Sequence, residues 1–256
     1  GRTVRLSAER PFFSLDARWA AGVAAEDDDR IESHYDLGEA IYRFRQRSER
    51  ASLWVGFSRG LRAGRALRLE TGWTWDRESF EEADDGSSAP FPLPGRTLSY
   101  PWIGLASVED GFVTARDMDK IERTEDLNLA QEGRLRVGRA VPAFGSDRSA
   151  TILDGSWRLG AALGRGRTLL ASAGLSGRRE GAGFANVLAE GSVRWLERNF
   201  GPHLFHAALH AHAAHRLDPE RQLLIGGTSA FGVTAVDHHG RASAAARIEE
   251  VIAGAK

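Results

Sequence analysis

Alternation of apolar and polar side chains, repeated along most of the chain, is the feature that most restricts its fold. Residues 12–25 show it most clearly, since the apolar side chains there share one parity: Phe13, Leu15, Ala17, Trp19, Ala21 and Val23. A period of two predicts a β-strand with one apolar and one polar face. Residues 51–61 and 66–77 alternate in the same way around a short turn at 62–66, which predicts a hairpin.

The same pattern predicts an all-β chain. The strand candidates number 12, at 2–9, 12–25, 34–47, 51–61, 66–77, 97–108, 125–140, 151–164, 167–178, 184–197, 203–215 and 242–253. The alternation slips near Ile41 and Tyr42, which predicts a β-bulge there. The alanine-rich segments 203–215 and 242–253 also suit a helix, but the strand candidates around them favour strands.

The predicted connections fall into two length classes. Short turns are expected at 26–30, 47–50, 62–66, 164–166 and 198–202. Long loops are expected at 79–96, 109–123 and 215–241. If successive strands run in opposite directions, the first and last of these loops lie at one end of the sheet, as the long loops of outer-membrane barrels do. The loop at 109–123 and the turn at 47–50 depart from that arrangement.

The composition removes several classes of protein. Lys and Arg number 34 against 35 Asp and Glu, and the net charge of -1 argues against a nucleic-acid partner. The absence of cysteine excludes a disulfide framework and a thiolate metal site. No run of about 18 apolar residues predicts a membrane-spanning helix, whereas a barrel strand needs only about 10 alternating residues. The 29 glycines and 7 tryptophans suit such a barrel.

We therefore predict an all-β fold, an antiparallel transmembrane β-barrel that residues 1–256 form as a single domain. Its apolar faces would contact lipid and its polar faces would line the interior, while closure would remove the unpaired strand edges. The alternative is a soluble all-β binding domain, in which the same apolar faces would pack together in a sandwich.

The His-rich strand candidate is the main place where the sequence offers chemistry. His206, His210 and His212 share one face, and the last two have the i, i+2 spacing of a chelating pair. A metal-dependent hydrolase would need a third ligand and an oriented outer shell, which the sequence does not assign. A polar, water-facing barrel interior is the favoured interpretation.

The remaining charged and glycine-rich segments give no catalytic motif. Arg43, Arg45 and Arg47 share one strand face and suit either an anion path or a solvated surface. The glycines of residues 163–167 lack the Lys-Ser/Thr partner of a phosphate loop. The sequence thus predicts a protein that is not an enzyme, with no catalytic residue, no cofactor and no metal.

Residues 222–251 contain a glycine pair, an aromatic-glycine step, a further glycine and a glutamate pair. This order resembles the inward-folding loop of the bacterial surface-antigen barrels of the outer membrane, the superfamily of the BamA and TamA assembly proteins. The residues that carry the motif are Gly226, Gly227, Phe231, Gly232, Gly240 and Glu249. Segments 27–30, 53–61 and 125–129 also resemble parts of these barrels.

The resemblance implies a BamA/TamA-type protein of the bacterial outer membrane with a role in membrane-protein or lipid traffic. Its partners would be the lipid bilayer and other envelope proteins. The family barrel has 16 strands with this loop between the eleventh and twelfth, so 12 candidates imply a barrel that is incomplete at its C-terminal end. No POTRA domain is expected. Phe231 occupies the position where the family has the loop arginine, so the motif supports the family's architecture better than its activity.

Overall fold

The chain forms β-strands along nearly all of its described length, as the sequence predicts. The computed structural model describes residues 1–36, 39–83, 92–116, 124–164, 166–181, 183–200, 203–222, 231–237 and 240–252. The strands are β1 (Arg2–Arg10), β2 (Trp19–Asp36), β3 (Glu39–Arg62), β4 (Arg65–Glu82), β5 (Arg96–Glu109), β6 (Phe112–Arg116), β7 (Thr124–Asn128), β8 (Gln131–Ala140), β9 (Ala150–Gly164), β10 (Arg167–Glu180), β11 (Gly183–Phe200), β12 (His203–His215), β13 (Phe231–Asp237) and β14 (Gly240–Ile252). The helical structure in these ranges is a 3-10 turn at Pro142–Phe144, and no helix there has the length and apolar character needed to cross a membrane.

One antiparallel sheet contains 12 of these strands, in the order β1-β2-β3-β4-β5-β8-β9-β10-β11-β12-β14-β13. Strands that follow one another in the chain pair from β1 to β5 and from β8 to β12, which is the meander of up-and-down barrels. The last two strands exchange places, because β14 pairs with β12 and β13 pairs with the far side of β14. Strands β1 and β13 form the two edges, and no ladder joins them within the described residues. The sheet is therefore an open, partial barrel.

The sheet is curled, and contacts across its concave side show this. Side chains of β2 and β11 line one common cavity, although seven strand-to-strand steps separate these strands in the sheet. In a flat sheet that separation would be about 34 Å. Gln222, beyond β12, also reaches β2, since its Oε1 accepts the Tyr35 N–H at 2.8 Å and its Nε2 donates to the Tyr35 carbonyl at 2.8 Å. The concave side is thus the inner wall of the partial barrel.

The outer, convex face is apolar over a broad band. A single register row joins Phe57, Leu69, Leu105 and Leu135 across β3, β4, β5 and β8, and these side chains are 59%, 50%, 55% and 56% exposed. Further exposed apolar side chains of the same parity are Val23, Leu53, Val55, Leu67, Ile103, Val137, Trp157, Leu175, Val193 and Leu209. The sheet therefore turns its largest apolar surface away from its own interior.

The inner face carries the buried polar groups. Glu70, Glu78, Arg96 and Arg178 are each at most 9% exposed. By contrast, the one cluster of buried apolar residues is small, consisting of Leu98, Ala140 and Ala150 in the described part of the chain. This arrangement of apolar outside and polar inside is the reverse of a soluble domain.

Strands β2 and β3 are longer than predicted, at 18 and 24 residues. The turns expected at 26–30 and 47–50 are wrong, because both segments lie inside these strands. The charged residues there have cross-strand partners that stabilise an extended backbone: Asp29 pairs with Arg45 at 2.5 Å and Asp27 with Arg47 at 3.2 Å. Strand β3 contains the predicted strand 51–61 and most of the predicted strand 34–47. The loop predicted at 215–241 therefore begins after the tenth strand of the large sheet, and not after the eleventh as predicted.

The predicted β-bulge and the two alanine-rich strands are present in the sheet. The bulge is confirmed, because His34 pairs with Tyr42 while Tyr35 pairs with Ala40, leaving Ile41 as the extra residue. The strand prediction is confirmed for 203–215 and, within the described residues, for 242–252.

Two other segments were predicted wrongly. The loop expected at 109–123 contains β6, which pairs with β7 in a separate two-stranded sheet. The strand expected over 12–25 begins only at Trp19. The segment before it folds back over the inner face, where Phe12 covers Gly56 closely enough that an added Cβ would lie 2.8 Å from its ring.

A close approach between β3, β4 and β5 depends on Gly72. A Cβ at this position would meet the Leu53 carbonyl and would lie 2.6 Å from Cζ2 of Trp102. We expect Gly72→Ala to destabilise the fold by about 1–3 kcal/mol, because the indole and the backbone must both shift. The urea midpoint of unfolding measures this. Gly133→Ala is the matched control, since its Cβ would have only the Trp157 ring edge at 4.0 Å; equal midpoints for the two variants would contradict the prediction.

Candidate functional site

The segment that follows β12 lies against the inner wall and joins distant strands. Within residues 216–222, Asp218 and Glu220 are 8% and 9% exposed. A buried carboxylate requires hydrogen-bonding or charged partners. The inner wall provides them as arginines from two strands that are not adjacent in the sheet.

Arg96, near the start of β5, is the centre of the first contact. Its guanidinium donates to Glu78 of β4, to Glu220 Oε1 at 2.6 Å, and lies 2.9 Å from Asp218 Oδ2. The four side chains are each at most 9% exposed. A planar guanidinium with five N–H donors can serve three carboxylates at once, which an ammonium group does less well.

Arg178, at the far end of β10, completes the cluster. Its Nη1 donates to Asp218 Oδ2 at 2.6 Å, its Nη2 donates to the second oxygen, and its Nε donates to Glu180. Asp218 is therefore held by two arginines from strands three positions apart in the sheet. This ion cluster fixes the segment to both sides of the curved wall.

The pKa of Asp218 reflects these contacts. Burial tends to raise it, but the hydrogen bonds from Arg178 and the positive charges of Arg96 and Arg178 outweigh burial and keep the pKa below its ordinary value. Because the folded-state pKa is lowered, the stabilisation is fully present above the unfolded value, about 3.9, and is lost as the pH falls through the folded-state pKa.

A pH titration tests this assignment. We expect the thermal midpoint of the protein to fall with pH below about 4, and the difference between the protein and Asp218→Asn to shrink over the same range. Circular dichroism melts from pH 7 to pH 2 give both quantities. A difference between the two proteins that stays constant throughout would show that Asp218 is not held as a charged group.

Beside the ion cluster the inner wall encloses a cavity of about 560 Å³. It is bounded by β2, β3, β4 and β11 and covered on one side by Leu217, Glu220 and Gln222. Both acidic and basic side chains line it, including Glu26, Arg30, Glu32, Arg50 and Glu78. Its polar lining and width suit water and hydrated solutes.

The described residues of the predicted loop motif lie in two strands that pair with each other. Gly226 and Gly227 lie outside the described residues. Phe231 and Gly232 lie in β13, paired with Ala246 and Ala245, so the predicted loop 215–241 is wrong in that it includes a strand. Gly240 begins β14, and Glu249 pairs in register with His206 of β12. The described residues of the motif, Phe231, Gly232, Gly240 and Glu249, are thus part of the sheet, and the segment that lies on the inner wall precedes them.

The histidine row lies where the barrel interpretation places it. His206, His210 and His212 have the parity of the inner face, with His210 opposite Ser192 and His212 opposite Glu190. In the described ranges no group of three His, Cys, Asp or Glu residues could bind a metal ion.

The arginine row on β3 lies on the opposite, outer face. Arg45 and Arg47 pair with Asp29 and Asp27, and the cavity described above is lined by the other parity, such as Gln46 and Ser48. Of the two interpretations of this row, the structure favours the solvated surface over the anion path.

The fold and the site together define a class: a curled, partial-barrel β-sheet with an apolar outer face, a charged inner wall and a segment fixed across that wall. The chain is similar to a solved structure, the crystal structure of BamA from Haemophilus ducreyi lacking POTRA domains 1–3, with a TM-score of 0.50 at 12% identity. The match covers 84% of this chain and 49% of the BamA chain, so the chain spans about half the length of that structure. No protein-family model matches the sequence, and no curated protein does so either. The similarity therefore lies in the fold.

Proposed function

We propose that this chain is part of an outer-membrane β-barrel of the BamA/TamA type and acts, without catalysing a reaction, in membrane-protein or lipid traffic. The observation that carries the proposal is the apolar outer row at Phe57, Leu69, Leu105 and Leu135, each half exposed or more. A bilayer is the environment that buries such a row without a second protein layer. Lipid and other envelope proteins are the proposed partners, and nucleic acid is not.

The apolar band also has the dimensions that a membrane requires. On β4 the uncharged outward residues lie between Leu67 and Trp75, a span of nine residues along the strand. A tilted barrel strand crosses the hydrocarbon core with about 9–11 residues. Beyond Trp75 the outward residues become charged, beginning with Arg77, which lies 4.0 Å from Glu49 of β3. This change from apolar to paired charges is typical of the boundary of a membrane.

Fractionation and gel migration test the proposal. The full-length product is expected in the outer-membrane fraction, and its folded form should migrate differently before and after boiling, as closed or detergent-stable barrels do. A product that partitions into the aqueous phase and does not shift on boiling would support the soluble all-β binding domain instead.

A further inference from the structure

Three arginines project from the inner wall on β4 and β8, away from the ion cluster already described. In the sheet register, Arg68 is opposite Ala106, and Ala106 is opposite Arg134; in the next inward row, Gly104 lies opposite Arg136. The strand between the arginines thus presents only small residues. The result is a shallow floor on β5 with guanidinium groups on both sides.

Aromatic rings orient two of these guanidinium groups. Arg136 lies over Trp102 at 4.0 Å from the ring centroid, and Arg68 lies over Phe12 at 4.7 Å. Stacking of this kind fixes the plane of the guanidinium while leaving its N–H edge available for an anion. Both groups are therefore oriented before any ligand arrives.

Carboxylates share this part of the inner wall, since Glu132 of β8 and Asp154 of β9, which is opposite Arg136, have the inward parity. Arg134 donates to Glu70 at 3.2 Å, but within the described residues Arg68 and Arg136 have no carboxylate at ion-pair distance. The Nε atoms of both Arg68 and Arg136 are buried and have no hydrogen-bond partner, while Arg68 Nη2 makes one long contact, 3.5 Å, to the Ser14 carbonyl. Buried N–H donors in folded proteins are nearly always satisfied. Both guanidinium groups therefore keep a hydrogen-bond donor that no described protein group uses.

We propose that Arg68, Arg134 and Arg136 form a binding site for a phosphate group on the inner wall. Within the described residues the guanidinium groups of Arg68 and Arg136 have no ion pair, and a tetrahedral anion offers oxygens to N–H donors that approach from both sides of the floor. The phosphate is either free inorganic phosphate or the headgroup phosphate of a lipid. The site depends on the inner wall alone, so it does not require that the outer band contact lipid.

Calorimetry on the full chain in a nonionic detergent tests the site, with inorganic phosphate as the first probe and dihexanoyl phosphatidylglycerol as the second, both at fixed ionic strength. We expect saturable phosphate binding that weakens about tenfold or more in Arg136→Gln, because a charge-assisted hydrogen bond is lost. Arg139→Gln is the matched control: Arg139 lies on the same strand but is exposed on the other face, where it donates to Thr151. The affinity of Arg139→Gln for inorganic phosphate should equal that of the unmodified protein.

The lipid arm identifies the source of the phosphate. If the short-chain lipid displaces inorganic phosphate from the protein, and no such displacement occurs in Arg136→Gln, the site binds a lipid headgroup. If inorganic phosphate binds but the lipid does not displace it, the site binds the free ion. If Arg136→Gln does not fold, Arg68→Gln is measured in the same way. No saturable binding of either probe, or equal affinity in Arg136→Gln and the unmodified protein, overturns the site and leaves the fractionation result untouched.

Discussion

Leu105→Arg is expected to reduce the free energy of folding into a lipid bilayer by about 2–4 kcal/mol. Leu105 is 55% exposed on the outer face and lies in the row between Leu69 and Leu135. If this row contacts hydrocarbon, an arginine there must bring its charge into the bilayer or pull headgroups and water toward it. Urea titration of the protein folded in phospholipid vesicles, followed by tryptophan fluorescence, measures the change.

Ile41→Arg is the control that distinguishes lipid from water. Ile41 is 52% exposed, nearly the same as Leu105, but it lies near the tip of β3, beyond the apolar band and close to the charged pairs of Arg45 and Arg47. We expect this variant to change stability by no more than about 0.5 kcal/mol, as surface substitutions usually do. If the outer face of the sheet contacted water and not lipid, both positions would be solvated, so similar small effects in the two variants would contradict the membrane proposal.

The strands could be predicted from the sequence because side-chain parity is a local property. Residues 66–77 alternate over a whole strand length. They lie within β4, and their apolar and polar side chains are on the two faces that the alternation predicts. The errors arose where charges interrupt the apolar face, as at 26–30 and 47–50. Those segments are strands because Asp27 and Asp29 find arginine partners on β3, and the register that brings them together is not visible in either segment alone.

The ion cluster could not be predicted from the sequence for a related reason. Glu220 lies 124 positions from Arg96 and Asp218 lies 40 positions from Arg178, so each residue looks like an ordinary solvated charge in its own segment. One signal was available: Arg96 and Arg178 have inward parity at strand ends, and the predicted long loop begins with two closely spaced carboxylates. The resemblance to a family loop lies instead in residues 226–249, which follow the segment that contacts the wall.

Arg96→Met is expected to destabilise the protein by about 3–5 kcal/mol, because Glu78, Asp218 and Glu220 stay buried after their shared cation is removed. Arg178 still binds Asp218, but within the described residues Glu220 has no second cation at ion-pair distance, and its Oε2 already has no hydrogen-bond partner. The segment 216–222 should therefore leave the wall. Urea unfolding gives the free energy, and trypsin cleavage after Arg221, whose side chain is 48% exposed, reports release of the segment.

Two further variants decide whether the effect comes from the buried charges. Arg65→Met removes an arginine from an exposed pair with Glu109, where the side chains are 51% and 26% exposed, and such pairs contribute less than about 1 kcal/mol. Arg96→Met combined with Glu220→Gln removes one uncompensated carboxylate and should recover part of the loss, because a neutral amide is easier to bury than a charge. If Arg96→Met costs no more than Arg65→Met, or if the double variant recovers nothing, the segment is held on the wall by packing and not by the ion cluster.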